Sequence, residues 1–361
     1  MIRRLLRWLT VMIVLTGLAV ALAVAFVETG CQSAGPPPAP GTGRFGVTDK
    51  DYRLPVTNSV LSYPEWYIVY AYQDFATTLR DSDESAFSYL DSISEYWTSL
   101  CAVNRTASAQ GPIDLGQKVM LYVIGFSFTA ELGLKGAYET TIGQLTAWLR
   151  GPEKTSEDRL ALAVAEDYAA FLDQKPWYEY SFLTQVRRLL NDTPFGRSSV
   201  RAVERRFALT LEWTVKSGYA WVIARMAELD PAVLKIRSVV RDGGDLAQKS
   251  GAGIVVRRDL GGGKALVETP RYAAFTKILA DFAAEDRQVF EIAGNDVVFI
   301  TVLAPDDVTL GLDGARTIFT YPDRSRSRMQ RVGMLVEVPA LIQAIRQMQS
   351  KGARLEHVYD Y

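Results

Sequence analysis

Residues 8–27 read WLTVMIVLTGLAVALAVAFV, twenty positions without a charge, with Arg3, Arg4 and Arg7 before them and Glu28 as the first charge after them. A helix rises about 1.5 Å per residue, so this run can cross a hydrocarbon core of about 30 Å. Three readings compete for it. A cleaved secretory signal has an apolar core of about 7–15 residues, which this run exceeds. A lipoprotein signal finds Gly30-Cys31 in place, but Glu28 stands where an aliphatic residue is wanted three positions before the cysteine. A retained anchor meets both facts and is the reading adopted. Positive charge resists translocation, so the N-terminus is expected in the cytoplasm and the body outside it, in the periplasm of a Gram-negative cell.

Outward from the anchor, residues 33–43 (SAGPPPAPGTG) form a stiff Pro/Gly spacer. The chain divides into an anchor at 1–31, a linker at 32–50, an all-α helical domain at 51–230 and an α+β domain at 231–361. In the helical part, Ser62, Pro64 and Glu65 have the spacing of a capping box that opens a helix to about Arg80. Phe87, Leu90, Ile93, Trp97 and Leu100 recur every three or four positions, a second helix. Asp114–Arg150 reads as one long or broken helix. Its uncharged stretch Val119–Ala130 has twelve residues, too few to cross a bilayer, and is read as the buried central helix of a bundle, its glycines permitting close contact. Thr155 and Asp158 open another helix, Tyr180–Asn191 makes a shorter one, and Ser198–Asp230 is amphipathic, with Val203, Phe207, Val215 and Val222 on its apolar side.

After Asp230 the period shortens. Lys235–Arg241 alternates like a strand, and short strands follow at Ile254–Val256, Ala265–Glu268, Gln288–Ile292, Val297–Leu303, Thr317–Tyr321, Val332–Val338 and Leu355–Tyr359. Helices Pro270–Ala284 and Pro339–Lys351 interrupt them, and Ala293–Asp296 has the composition of a hairpin turn. The expectation is a ferredoxin-like mixed or antiparallel sheet with helices on one face. No internal repeat is evident.

Composition excludes some functions. Lys and Arg number 40 against 41 Asp and Glu, net charge −1, so nothing global argues for nucleic acid. The lone histidine, His357, leaves no multi-histidine metal site and reads as a surface or packing residue. Of the two cysteines, Cys31 lies beside the anchor and Cys101 inside a helical pattern. A disulfide between them competes with Cys101 as a buried small hydrophobe, and the hydrophobe is the reading adopted. Gly261-Gly-Gly-Lys264 lacks the first glycine and the final Ser/Thr of a phosphate loop and reads as a turn. No cofactor and no metal is implied.

Two clusters remain as candidate contacts. Arg324, Arg326, Arg328 and Arg331 crowd one connection, where guanidinium groups could hold an anionic lipid head group or an acidic partner. Trp177, Tyr178 and Tyr180, between helices, are large amphipathic side chains that cannot all face inward. The functional expectation is a single-pass membrane protein whose extracytoplasmic body binds an envelope protein partner or an apolar or anionic small ligand. The alternatives are an envelope enzyme acting on lipid or cell-wall substrate and a structural subunit of a membrane complex.

Overall fold

The structure, a computed structural model, describes residues 17–18, 20–30, 47–193, 199–226, 234–243, 246 and 253–360. The three N-terminal arginines, the start of the apolar run, Cys31 and the Pro/Gly spacer lie outside the described residues. The end of the apolar run is helical, α1 (Val20–Thr29).

The helical domain runs α2 (Val56–Leu61), α3 (Tyr63–Asp81), α4 (Tyr89–Gln110), α5 (Leu115–Tyr138), α6 (Gln144–Arg150), α7 (Ser156–Leu172), α8 (Phe182–Asp192) and α9 (Val200–Met226). Ser62 does not cap α3. The preceding α2 delivers the chain already helical, Ser62 sits at φ −76° and ψ −15°, and its hydroxyl donates to the Ser59 carbonyl. At α7 the box forms: the Thr155 hydroxyl accepts from Asp158 N–H while the Asp158 carboxylate accepts from Thr155 N–H. A π-helical turn at Glu139–Gly143 joins α5 to α6, so Leu115–Arg150 is one rod of 36 residues.

The C-terminal part holds two four-stranded antiparallel sheets rather than one. Strands β1 (Lys235–Arg241), β2 (Val255–Gly261), β3 (Lys264–Pro270) and β4 (Val289–Ile292), with α10 (Ala273–Ala284) before β4, form the first. Strands β5 (Val297–Pro305), β6 (Ala315–Pro322), β7 (Met329–Glu337) and β8 (Arg354–Tyr359), with α11 (Val338–Ser350) before β8, form the second. Both follow the order second, third, first, fourth. The ferredoxin-like plan is thereby replaced by a repeated βββαβ unit, and the absence of an internal repeat is corrected. Ala293 and Gly294 (φ 48° and 80°) do make the tight turn, but the strands leaving it enter different sheets. Helices α10 and α11 pack on each other and on strands of both sheets, around Phe275, Leu279, Ile300, Leu341 and Ile345.

The helical domain covers the far face of the second sheet. Tyr63, Tyr67 and Tyr70 of α3 share a core with Phe299, Phe319, Leu335 and Tyr359. Ser59 ties the layers, its hydroxyl donating to the Tyr359 carbonyl at 2.6 Å and accepting from Phe299 N–H at 2.9 Å. Covered on both faces, β5 is buried along nearly its whole length, and therefore reads as a continuous apolar run rather than an alternation. Val47–Asp49, assigned to the linker by composition, are docked on the first sheet: Val47 and Thr48 donate their N–H groups to Glu291, and Asp49 pairs with Arg237 at 2.9 Å.

Candidate interaction surface

Helix α9 carries charge on one stripe and apolar side chains on the other, and it is the charged stripe that faces inward. Arg201 and Arg205 are each about 1% exposed. Arg201 binds Glu84 at 3.0 Å, Asp158 at 2.9 Å and Glu204 at 3.2 Å. Arg205 binds Glu139 at 3.0 Å, Glu204 at 2.6 Å and Glu84 at 3.2 Å. Arg150 adds Asp83 and Asp158. Two turns along, Lys135 and Lys216 share Glu212, and Lys216 also reaches Glu131. Burial pushes the Asp158 carboxyl up, but Arg201 and Arg150 outweigh it and leave it below its ordinary value. Asp83, Glu84 and Asp158 bring oxygens close enough to hold a cation. Three guanidinium groups already occupy that charge, so the cluster is an ion-pair network inside the bundle.

The outward stripe is the reverse. Val203, Phe207, Leu211 and Val215 of α9 are more than half exposed, Phe207 at 68%. The rod α5–α6 does the same with Val119, Val123, Leu134, Leu145 and Trp148, the last at 76%. Every exposed position from Leu115 to Leu149 is uncharged, and so is every exposed position of α9 from Val200 to Ala224. Arg225, next in line, lies over the Trp221 ring at 3.7 Å. Lys135–Glu212, Lys216–Glu131 and the Tyr138 hydroxyl donating to Glu204 bridge α5 and α9, α6 packs on α9, and each of these helices carries an exposed apolar row. The reading of Val119–Ala130 as a buried central helix is corrected: only Leu121, Gly125 and Phe128 of that stretch are buried.

This face begins where α1 ends. Glu28 accepts from the Lys118 ammonium at 2.8 Å and from the Tyr122 hydroxyl at 2.6 Å, on the first two turns of α5. Val27 is 2% exposed, and the Cys101 sulfur lies 3.5 Å from the Phe26 carbonyl. Cys101 is buried and disulfide-bonded, which corrects its reading as a plain hydrophobe; the sequence contains one other cysteine, Cys31.

The arginine cluster does not form a row. The Asp323 carboxylate accepts from Ser325 and Arg326 N–H, turning the chain there, so Arg324, Arg326 and Arg328 do not follow the alternation of an extended strand. Arg324 reaches Asp91 and Glu95 of α4, Arg326 pairs with Asp323 at 2.8 Å, and Arg331 is buried in a two-pronged pair with Glu356 beneath the Tyr70 ring. Arg328, at φ 61°, is exposed. The charges sought from an anionic ligand are supplied, for three of the four, by carboxylates of the fold. Nor do the aromatics make an outward cluster. Tyr180 is buried against Tyr168, Phe171 and Phe182, and its hydroxyl donates to Asp167; Trp177 stacks on Tyr219 at 5.2 Å; Tyr178 is half-buried beside it. A cavity of about 210 Å³ between Ile254 and α10 is walled by apolar groups with Asp281 and Glu285 beside them.

The outer face escaped the sequence reading although its residues were singled out. Val203, Phe207, Val215 and Val222 define the stripe, but periodicity alone does not say which stripe is inside. The available signal was the opposite stripe, where Arg201, Arg205, Glu212 and Lys216 recur with Glu204 among them, too many opposite charges in register to be a random solvated face. No family model, no curated protein and no solved structure matches this chain.

Proposed function

We propose that this chain is a membrane-attached protein of the cell envelope that acts by binding, with the outer face of α5–α6 and α9 as its contact element. One observation carries the reading: in two adjacent helices the charges are turned inward and paired while the apolar side chains are turned outward. Contiguous exposed apolar surface on this scale marks a protein or membrane contact. The docking of α1 on the first turns of α5 supports attachment at a membrane, because α1 is the end of a run long enough to span one. An oxidised Cys101 supports a body outside the cytoplasm. In the alternative enzymatic reading, a site would gather unpaired polar groups in a cleft; the carboxylates buried around Arg201 and Arg205 are instead committed to those arginines.

Photocrosslinking in the producing cell tests it. The full chain, with a photoreactive residue in place of Phe207 or Leu145, is expected to give adducts at both positions, to protein or to lipid. The same residue in place of Ser94, on the exposed polar side of α4, is expected to give none. Silence at both apolar positions overturns the proposal.

A further inference from the structure

We infer that the occupant of this face is bilayer hydrocarbon: α5–α6 and α9 lie flat along the membrane, seated beside the point where the N-terminal run leaves it. The inference rests on the binding reading above and names the partner of the same face.

Continuity is the first argument. Lys118 and Tyr122, which hold Glu28 of α1, sit on the same turns as the exposed Val119 and Val123. The apolar surface therefore starts at the foot of a membrane-length segment and runs from there along the rod. Such an origin is shared with the bilayer, not with a partner that approaches from solvent.

Chemistry is the second. A protein–protein interface exchanges roughly one hydrogen bond per 100–200 Å² and has a polar rim. Here the exposed rows carry no charge from Leu115 to Leu149 or from Val200 to Ala224, and their polar side chains are limited to Thr140, Thr141, Gln144, Thr214 and Tyr219. The hydroxyls of Thr140 and Thr141 donate back to the Gly136 and Ala137 carbonyls of their own helix, both at 2.6 Å, and so require nothing from outside. Thr98 of α4 makes the same back-bond in solvent, so the pattern meets the demand of hydrocarbon, where partners must be internal, without being peculiar to it. Trp148 at the α6 end and Trp221 at the far end of α9, the latter under Arg225, are the residue type that settles at the boundary of a bilayer.

The seat is flat. A 36-residue rod is about 54 Å long, well beyond a hydrocarbon core of about 30 Å. The other helices of the bundle expose Asp91 on α4 and Arg159 and Asp167 on α7, so lipid cannot surround the domain. One face can enter the bilayer and the others cannot, which describes a helix layer buried to part of its depth in one leaflet.

The test uses the full chain reconstituted in phosphatidylcholine vesicles doped with a lipid that carries a diazirine on its acyl chain. After illumination, peptide mapping is expected to find lipid adducts on α5–α6 and α9 as well as on the N-terminal run. Adducts confined to the N-terminal run overturn the inference. In the variant Phe207→Glu with Leu211→Glu, whose side chains are exposed and so not needed by the core, the α9 adducts should be lost while those on the N-terminal run remain. Undiminished α9 adducts in that variant also overturn it. If a photoreactive residue in place of Phe207 links two copies of the chain or captures another protein and no lipid adduct forms on α9, the face still binds but the bilayer is not its occupant. Neither lipid adduct nor protein crosslink sinks both readings together.

Discussion

His357 packs against Trp66 with ring centroids 3.7 Å apart, and its Nδ1 shares a 3.3 Å hydrogen bond with the Thr276 hydroxyl, which also accepts from Val358 N–H. Nε2 is buried without a hydrogen-bond partner among the described residues. Burial pushes this imidazole down to about 3, against an ordinary value of 6.5. The folded protein thus keeps His357 neutral, whereas the unfolded chain takes up a proton as pH falls through 6.5. The stabilisation is complete above that point and is lost progressively as pH drops toward 3, by about 2–3 kcal/mol at about pH 4.5. Asp158 and Asp323, both held below their ordinary values by arginines that outweigh burial, lose stability in the same direction. The variant His357→Phe separates the effects. Between neutral pH and about pH 4.5 its urea midpoint should fall less than that of the unmodified chain, and an equal fall in both would show that the histidine contributes nothing. The same scale decides the ion-pair network. Removing Arg205 leaves Glu139, Glu84 and Glu204 facing each other inside the bundle, and breaking a buried network costs about 3–5 kcal/mol. Arg205→Met should show that loss in chemical denaturation, and adding Glu139→Gln should recover part of it, since the uncompensated carboxylate is then gone. Additive losses would mean that Arg205 and Glu139 do not act as a pair. The sequence singled out His357 and left its burial open; it did not mark Arg205 at all, because a charged residue is assigned to solvent unless its partners on other helices are known.

Between elements, glycine placement along the rod α5 decides how closely α4 approaches. A Cβ on Gly136 would lie 2.8 Å from Tyr89, and one on Gly125 would lie 2.5 Å from the Tyr96 ring, whereas one on Gly133 meets nothing. Gly136→Ala should therefore destabilise by about 1–3 kcal/mol as α4 is pushed outward. Gly133→Ala should stabilise by up to about 1 kcal/mol, because alanine is the better helix former where no neighbour objects. Thermal melts of the two variants should move in opposite directions, and parallel shifts would sink the account. Element boundaries were largely legible. Seven of the strands sit within a few residues of their expected ranges, since β-branched runs bounded by glycine and proline report extended backbone directly. Side assignment was less legible. Of the row Phe87, Leu90, Ile93, Trp97 and Leu100, the first and last are buried and Ile93 and Trp97 pack partly on the core, but Leu90 is 79% exposed and Tyr89, Tyr96 and Val103 of α4 are buried beside them. With apolar residues on both rows, the tyrosines won the interior through hydroxyls that find carbonyl acceptors there, Tyr89 at Glu84 and Tyr96 at Leu121.

In the whole molecule, two copies of one βββαβ unit stand in different surroundings, and this hid the repeat. The second sheet has α3 on one face and the paired helices on the other, so β5 became apolar throughout; its counterpart β1 keeps Arg237 on the face that meets Asp49. Equal topology with unequal burial gives unequal patterns, and only the backbone retains the likeness. The N-terminal end is the other feature that belongs to this scale. Glu28, which spoils the lipoprotein pattern, has work in the fold, since it binds Lys118 and Tyr122 and is retained only if the chain is not processed at Gly30-Cys31. A cysteine sulfur joined in a disulfide cannot also carry a thioether-linked diacylglycerol. Cys101 is buried, which bars a bond to a second chain, and the sequence offers Cys31 as the only other cysteine. The expected outcome of non-reducing peptide mapping is a Cys31–Cys101 linkage in a chain that keeps its N-terminal residues. Closing a loop of that length stabilises by about 2–5 kcal/mol, so reduction or Cys101→Ser should lower the thermal midpoint without releasing the chain from the membrane. Alkaline phosphatase fused after Tyr361 should be active, because disulfide formation and phosphatase folding both need the oxidising side and the positive charge of Arg3, Arg4 and Arg7 opposes translocation of the N-terminus. A diacylglyceryl cysteine at a new N-terminus, or a silent phosphatase fusion beside an active cytoplasmic reporter, would overturn this topology, and with it the support that the docked anchor lends to a membrane seat for α5–α6 and α9.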